Sequence, residues 1–218
     1  MFLILLSISI IGMLLKRESK KSPLSDDSEL TISKRNVKLL LSSGFTMAFI
    51  YGIIYTFFPP YATSIGLTAF EIGLIISCMG IANTISHFVC IYIIERFDPE
   101  KIILGAVPMF GLVPILIIVA NSLLHFLVVF SIIGMLAGTL FSICIIVLVG
   151  GANKHERGKF AGIFESVLGV GFLIGPSFTG LLVSNYNISP FSISIIAIIP
   201  ILSAQIYWKF YKPRLIPS

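Results

Sequence analysis

Two polar side chains lie in the middle of a long apolar stretch of this chain, where they could do chemistry. Asn83 and His87 fall four residues apart within residues 72–94, a run dominated by Ile, Val and Phe. A spacing of four residues places both side chains on one face of an α-helix. An imidazole can donate or accept a hydrogen bond, and it titrates near neutral pH. We therefore predict that His87 and Asn83 contact a substrate or couple to a proton. The alternative is a plain hydrogen bond between packed helices.

Charged residues near the ends of apolar stretches form a second candidate group. Glu165 lies near the start of the apolar residues 160–183. An acid in that position needs a partner, and the candidate cations are Arg96 and Arg157 in the flanking loops. We predict an ion pair that acts as a conformational latch. The alternative is an acid near a helix N-terminus that is stabilised by the helix dipole.

Several other chemistries find no support in the sequence. The chain contains no His-Glu-x-x-His motif, and its adjacent aspartates, Asp26 and Asp27, lie outside every apolar stretch. Its three cysteines form no Cys-x-x-Cys pair. We predict no metal site, no cofactor and no enzymatic activity.

The candidate residues are distributed over seven apolar stretches. A transmembrane helix needs about 20 apolar residues to cross roughly 30 Å of hydrocarbon; six stretches meet this within a few residues, and the first is shorter. The chain is 56% hydrophobic and 11% charged, whereas soluble domains are about 25% charged. We predict an all-α, polytopic membrane protein, with a six-helix bundle over residues 39–211 and one short, partial transmembrane helix before it. The stretches are residues 1–15, 39–58, 72–94, 102–120, 126–149, 160–183 and 190–208.

All fifteen Lys and Arg residues lie in alternate gaps between these stretches. Short loops rich in Lys and Arg stay in the cytoplasm. This alternation predicts a multi-pass protein of the cell membrane with a cytoplasmic C-terminal tail, residues 212–218. It also explains the net charge of +5, which therefore does not indicate nucleic-acid binding. The basic segments are residues 16–38, 95–101 and 150–159 and the region after residue 208, and the gaps without Lys or Arg are 59–71, 121–125 and 184–189.

The longest polar segment, residues 16–38, mixes both charge signs with Ser and Pro. Such a composition is typical of a solvated linker, which here is predicted to be cytoplasmic. The linker separates one short helix from a block of six. This arrangement is typical of one half of a larger helix bundle, in which residues 1–15 are expected to end the preceding half.

Two passages resemble the major facilitator superfamily of transporters. Residues 57–77, FFPPYATSIGLTAFEIGLIIS, are similar to the segment that opens the second helix of a half in that family, "G-L-s-x-x-x-i-G". Residues 94–101, IERFDPEK, resemble a degraded form of the family loop "G-x-x-x-D-R-x-G-R-R/K". Glu95 and Arg96 stand at the acid and base positions of that loop, so we include both in the predicted latch. The residues that match the first pattern are Gly66, Leu67, Thr68, Glu71 and Gly73.

A third passage, residues 157–182, resembles the glycine-proline pattern of the fifth helix of a half. Thr179 stands where a second glycine is usual in that family. In lipid, small residues let helix backbones approach, and van der Waals packing drives the association. We therefore predict helix packing at the matching positions, which are Gly162, Gly171, Gly175, Pro176 and Gly180.

The resemblance extends over about residues 37–211. It implies the C-terminal half of a carrier of a small solute, working by rocking of two bundles about a midplane site. It also implies that residues 39–58 line the central cavity, so Tyr51 and Tyr55 are predicted substrate contacts; aromatic packing is the alternative.

The expected partners are the lipid bilayer, an unidentified small-molecule substrate, and either a second six-helix half or another copy of the chain. The alternative function is a split or truncated membrane protein that does not transport and acts only with a partner half.

Overall fold

The computed structural model describes residues 34–186 and 188–195. The predicted helix at 1–15, most of the linker, the C-terminal tail and all but the start of the last predicted span lie outside the described residues. The described part is built from α-helices and short 3-10 turns, without strands. The helices are α1 (Lys34–Ser64), α2 (Ala69–Arg96), α3 (Pro99–Leu112), α4 (Leu116–Val119), α5 (Leu123–Gly150) and α6 (Arg157–Tyr186), with 3-10 turns at Val113–Ile115 and Pro190–Ser192.

Five segments of the described chain are long and apolar enough to cross a membrane. The third of them, Lys101–Val119, combines α3, the following 3-10 turn and α4. These segments correspond in order to the predicted stretches from 39–58 to 160–183. They confirm the all-α, multi-pass membrane bundle.

The first helix is longer at both ends than the sequence predicts. It begins at Lys34, inside the predicted linker, and it runs to Ser64, past Pro59 and Pro60. Proline removes a backbone hydrogen bond and usually bends or ends a helix. Here the fully buried Phe58 and Ala62, on either side of the prolines, keep the segment packed on the core.

The turn between α1 and α2 is closed by caps on both helices. Gly66 adopts the left-handed conformation, with φ +91°, while its N–H donates to Thr63 O and the N–H of Leu67 donates to Ala62 O. This pair of bonds is the Schellman ending, which favours glycine at the left-handed position. Thr68 and Glu71 then form a capping box at the start of α2. This turn is thus built by Gly66, Leu67, Thr68 and Glu71, four of the five residues that match the family pattern in residues 57–77.

Two pairs of helices pack with their backbones in close contact. Small residues of α5 lie along α2: a Cβ added at Gly134 would overlap Met79 O, and one added at Gly138 would lie 2.5 Å from Asn83 O. In the same way α6 packs on α1, where a Cβ at Gly171 would lie 2.7 Å from Phe45 O. Real side chains do not approach this closely, so glycine is what allows each pair to form.

Candidate functional site

The predicted polar residues of α2 contact the helices on either side. The side-chain amide of Asn83 donates from Nδ2 to Tyr51 Oη of α1 at 3.4 Å. One turn later, His87 Nδ1 lies 2.6 Å from Ser142 Oγ of α5, with the donor set by the imidazole tautomer. Two hydrogen bonds therefore join three membrane-spanning helices at one level.

Close packing of α5 on α2 brings Ser142 to His87. Gly138, one turn before Ser142, has no side chain, so its backbone rests against Asn83 O and Ser86 Oγ. The Ser86 hydroxyl in turn donates to Asn83 O at 2.6 Å. A larger residue at position 138 would separate the two helices and remove Ser142 from reach of the imidazole.

These side chains surround a cavity of about 280 Å³. Tyr51, Asn83 and His87 are each half-buried, and none of the lining residues in the described part of the chain is charged. The only hydrogen bond of His87 to the described residues is the one at Nδ1, so Nε2 has no partner there. The lining residues are Met47, Tyr51, Asn83, His87, Ala137 and Phe141.

Aromatic rings fix the orientation of the cavity side chains. The Tyr51 ring stacks on Phe110 with ring centres 5.9 Å apart, and Phe141 meets the His87 ring edge-on at 5.8 Å. Tyr55 contacts the Tyr51 ring at 5.4 Å. It is 40% exposed and does not line the cavity. Of the four predicted contact residues, the structure therefore brings three to the cavity wall.

The cavity wall can hydrogen-bond a solute through a phenol, an amide and an imidazole. It offers no carboxylate and no permanent cation among the described residues. Each of these groups can both donate and accept a hydrogen bond. This chemistry suits the binding of a polar solute.

The family model of the Major Facilitator Superfamily matches residues 1–150 and, in a second alignment, residues 40–217. The chain belongs to the Major Facilitator Superfamily. It is also similar to an uncharacterized MFS-type transporter of Methanocaldococcus jannaschii, with 26% identity over 155 residues. The aligned region is 71% of this chain and 40% of that relative. The chain thus spans about two fifths of the length of the curated relative it matches.

Sequence reasoning did not include Ser142 among the site residues of this superfamily member, although it is the partner of His87. A signal was present: Ser131, Gly134, Gly138 and Ser142 follow one another at steps of three or four and so share a face of α5. The face is covered by α2, where Ser131 Oγ also lies 3.1 Å from Cys78 Sγ. Ser142, at the end of this run of small residues, thus forms a hydrogen bond between α5 and α2 at a position where the two helices also pack closely.

The glycine-proline residues of α6 divide between two surroundings. Gly171 and Gly175 lie against the α1 backbone, and Pro176 lies against Gly52 of α1. A Cβ added at Gly180 would meet only the Phe57 ring, at 3.9 Å. A Cβ added at Gly162 would meet no described atom within 4 Å. Gly162 therefore does not bring two described helices together.

The predicted latch residues of this superfamily member are all exposed at the ends of two helices. Glu95 and Arg96 end α2, and Arg157 and Glu165 belong to the first turns of α6. Within the described residues, Glu165 forms no ion pair with Arg96 or Arg157. Arg157 Nε donates to Ala152 O at 3.4 Å instead. The latch stays a prediction.

Proposed function

We propose that this chain is the C-terminal half of an MFS transporter, and that it moves a small solute across the cell membrane. The observation that carries the proposal is the polar cavity, where Tyr51 meets Asn83 and His87 meets Ser142. Polar groups at membrane depth are costly and usually face a bundle interior or a solute path. His87 and Asn83 are proposed as the substrate and proton-coupling residues, with Tyr51 beside them and Tyr55 at the edge.

The exposed faces of two helices support assembly with a second bundle. The spans differ in how much of their apolar 18-residue window is buried: 61% in Val37–Ser64, but only 28% in Ala69–Arg96 and 17% in Arg157–Tyr186. The uncovered face of α2 includes Gly73 and Gly80, with open space around both. A small residue that faces lipid contributes nothing to helix association, whereas one that faces another helix lets the two backbones approach closely. We propose that a partner half, or a second copy of the chain, covers them.

In the proposed orientation, the loop before α3 and the loop after α4 lie on opposite sides of the membrane. The basic residues at the end of α2 and at the start of α6 then face the cytoplasm, and so does the C-terminus. The latch belongs to this side: we propose that Glu165 pairs with Arg96 in another state of the transport cycle, with Glu95 and Arg157 as the second acid and the second base.

The test is proton and solute flux in vesicles that contain the chain, measured with a pH-sensitive dye during a screen of small solutes. We expect solute-dependent proton movement whose pH profile depends on His87. His87→Asn is the informative variant, because a carboxamide places a polar atom near the position of Nδ1 and can keep the contact to Ser142 without titrating. We expect it to express normally and to lose the pH dependence.

The matched control is His125→Asn. His125 lies at the start of α5, away from the cavity. Its backbone N–H donates a hydrogen bond to Ser122 Oγ, the N-cap of the helix. Flux with an unaltered pH profile in His87→Asn would refute the coupling role. Flux that appears only when a second half is supplied would favour the alternative, a protein that acts only with a partner.

A further inference from the structure

The hydrogen bond between His87 and Ser142 indicates which nitrogen of the imidazole carries the hydrogen. His87 Nδ1 and Ser142 Oγ lie 2.6 Å apart. Hydrogen bonds that a hydroxyl donates to an oxygen measure about 2.5–3.0 Å, whereas those that an N–H donates measure about 2.7–3.2 Å. The distance therefore fits a hydroxyl that donates to the ring nitrogen. Because Nδ1 then accepts, the hydrogen of the neutral imidazole lies on Nε2.

The surroundings of Ser142 favour the same assignment. Ser142 is 6% exposed, so its single hydroxyl hydrogen needs an acceptor within the contact between α2 and α5. The Cys90 thiol is also within reach of this hydroxyl, and it donates to Thr139 O at 3.8 Å. A thiol sulfur is a weak acceptor, whereas the unprotonated nitrogen of a neutral imidazole is an ordinary one. The Ser142 hydroxyl therefore donates to His87.

A second hydrogen bond orients the groups on the opposite side of the cavity. Asn83 donates from its amide nitrogen, Nδ2, to Tyr51 Oη. The phenol oxygen is the acceptor in this bond, so its own hydrogen stays available for donation. Because the amide nitrogen faces Tyr51, the amide oxygen, Asn83 Oδ1, is left as an acceptor.

The unused polar atoms of these residues are open to the cavity. His87 Nε2 and Asn83 Oδ1 have no hydrogen-bond partner within the described residues. They are not buried, because Thr179 Oγ1 is the one buried polar side-chain atom without a partner in the described part of the chain. Both residues line the cavity, as Tyr51 does. The wall therefore presents two donors, Tyr51 O–H and His87 Nε2–H, and one acceptor, Asn83 Oδ1.

The remainder of the cavity wall is apolar. Met47, Ala137 and Phe141 complete the lining, and the Phe141 ring meets the His87 ring edge-on. An ion that entered this cavity would lose its water without meeting an opposite charge on the described wall, which is costly at membrane depth. An uncharged solute with one apolar side avoids this cost.

We propose that the cavity takes an uncharged solute with an apolar side, at least two hydrogen-bond acceptors and one donor, and that Ser142 positions His87 to donate to it. This inference rests on the proposed function, because it names the class of solute that the same cavity binds. Ser142 does not line the cavity. It acts on the solute through the imidazole.

Nitrogen NMR of the full chain in lipid bilayers, with isotope label in the histidine rings, tests the position of the hydrogen. The chain has three histidines, so His125→Gln and His155→Gln together leave His87 as the one labelled imidazole. At a pH above the titration range of imidazole, we expect a hydrogen on Nε2 and an unprotonated, hydrogen-bonded Nδ1. A hydrogen on Nδ1 would overturn the proposal.

Two serine variants separate the role of Ser142 from packing. Ser142→Ala removes the donor and should shift the Nδ1 resonance. The matched control is Ser131→Ala, because Ser131 lies on the same face of α5 against α2 and does not line the cavity. We expect this control to leave the Nδ1 resonance unchanged. Equal shifts in the two variants would show that Ser142 acts only through packing and would refute its positioning role.

Matched small solutes test recognition in the same sample. A volume of about 280 Å³ equals that of about nine water molecules at roughly 30 Å³ each, so the probes are about this large. Nicotinamide is uncharged and carries two acceptors and a donor group. Benzamide lacks the second acceptor, nicotinate is an anion, and pyridylmethylamine is a cation. We expect nicotinamide to shift the Nε2 resonance at the lowest concentration, followed by benzamide and then by the two ions.

Ser142→Ala should weaken nicotinamide binding about five-fold, the equivalent of one hydrogen bond of about 1 kcal/mol, and Ser131→Ala should not. Tighter binding of either ion than of nicotinamide would overturn the proposal, and so would an Nε2 resonance that no probe shifts. Nicotinamide binding in a chain that carries no solute flux would refute transport but leave the recognition inference standing. Flux of an ion without nicotinamide binding would support transport and refute this inference.

Discussion

The contact between α6 and α1 makes a quantitative prediction for Gly175. A Cβ at this position would overlap Phe49 O and lie 3.0 Å from Phe49 C, whereas ordinary contact begins at 3.4 Å. Both atoms belong to the α1 backbone, so no side chain can rotate away. Gly175→Ala must therefore move the two helices apart by at least 0.4 Å, the difference between these two distances.

Two opposing effects set the size of the change in stability. Alanine is a better helix former than glycine by about 1 kcal/mol. Overpacking a tight contact costs about 1–3 kcal/mol, and here it also loosens the packing around Phe49. Because the added Cβ meets backbone atoms that cannot rotate away, we take the upper part of that range, about 2–3 kcal/mol. After the gain in helix propensity, we expect Gly175→Ala to lower the free energy of unfolding by about 1–2 kcal/mol. Gly169→Ala, on the exposed side of the same helix with open space around it, should be neutral or stabilising.

Thermal unfolding of the purified chain in detergent measures the difference. Cys90 and Cys144 are buried free thiols, so a dye that becomes fluorescent on reacting with thiols reports their exposure as the helices separate. We expect a lower midpoint for Gly175→Ala than for wild type and Gly169→Ala. Equal midpoints for the two alanine variants would refute the reasoning, since helix propensity alone treats them alike.

Three further predictions concern other parts of the molecule. The buried Thr179 hydroxyl has no hydrogen-bond partner within the described residues. Thr179→Val should therefore raise the free energy of unfolding by about 1 kcal/mol, measured with the same thiol-reactive dye. A lower unfolding midpoint would mean that the hydroxyl has a partner. In intact cells, an impermeant maleimide should label a cysteine at Ile65 and not one at Asn153, because the basic loops are assigned to the cytoplasm; the reverse pattern would invert the orientation. For the latch, Glu165→Lys should reduce flux, and Arg96→Glu in the same chain should restore part of it. Strictly additive losses would exclude pairing between Glu165 and Arg96.

Hydropathy was sufficient to predict the five spans of the described residues, because lipid demands about 20 apolar residues per span. The side of the membrane on which the basic loops lie stays a prediction. The predicted ends of the helices were less accurate. The passage of α1 through Pro59 and Pro60 depends on the burial of Phe58 and Ala62, which is a tertiary contact and has no local signal.

The site could be predicted only in part for a similar reason. The spacing of Asn83 and His87 predicts a shared face, but their partners depend on where α1 and α5 cross α2. Gly162 and Gly175 belong to one sequence pattern, yet the rotation of α6 leaves the first open and buries the second. The identity of a residue does not indicate which neighbour covers it.

The most direct test of the proposed transport site is its accessibility to water within the membrane. In a chain whose three native cysteines are replaced, Asn83→Cys and Ile85→Cys place a thiol on opposite faces of α2. A charged methanethiosulfonate reagent, added to both sides of a membrane preparation, should modify the cysteine at position 83, in the cavity, and leave that at 85 unmodified. An unreactive cysteine at 83, or faster reaction at 85, would contradict the assignment of this cavity as the solute path.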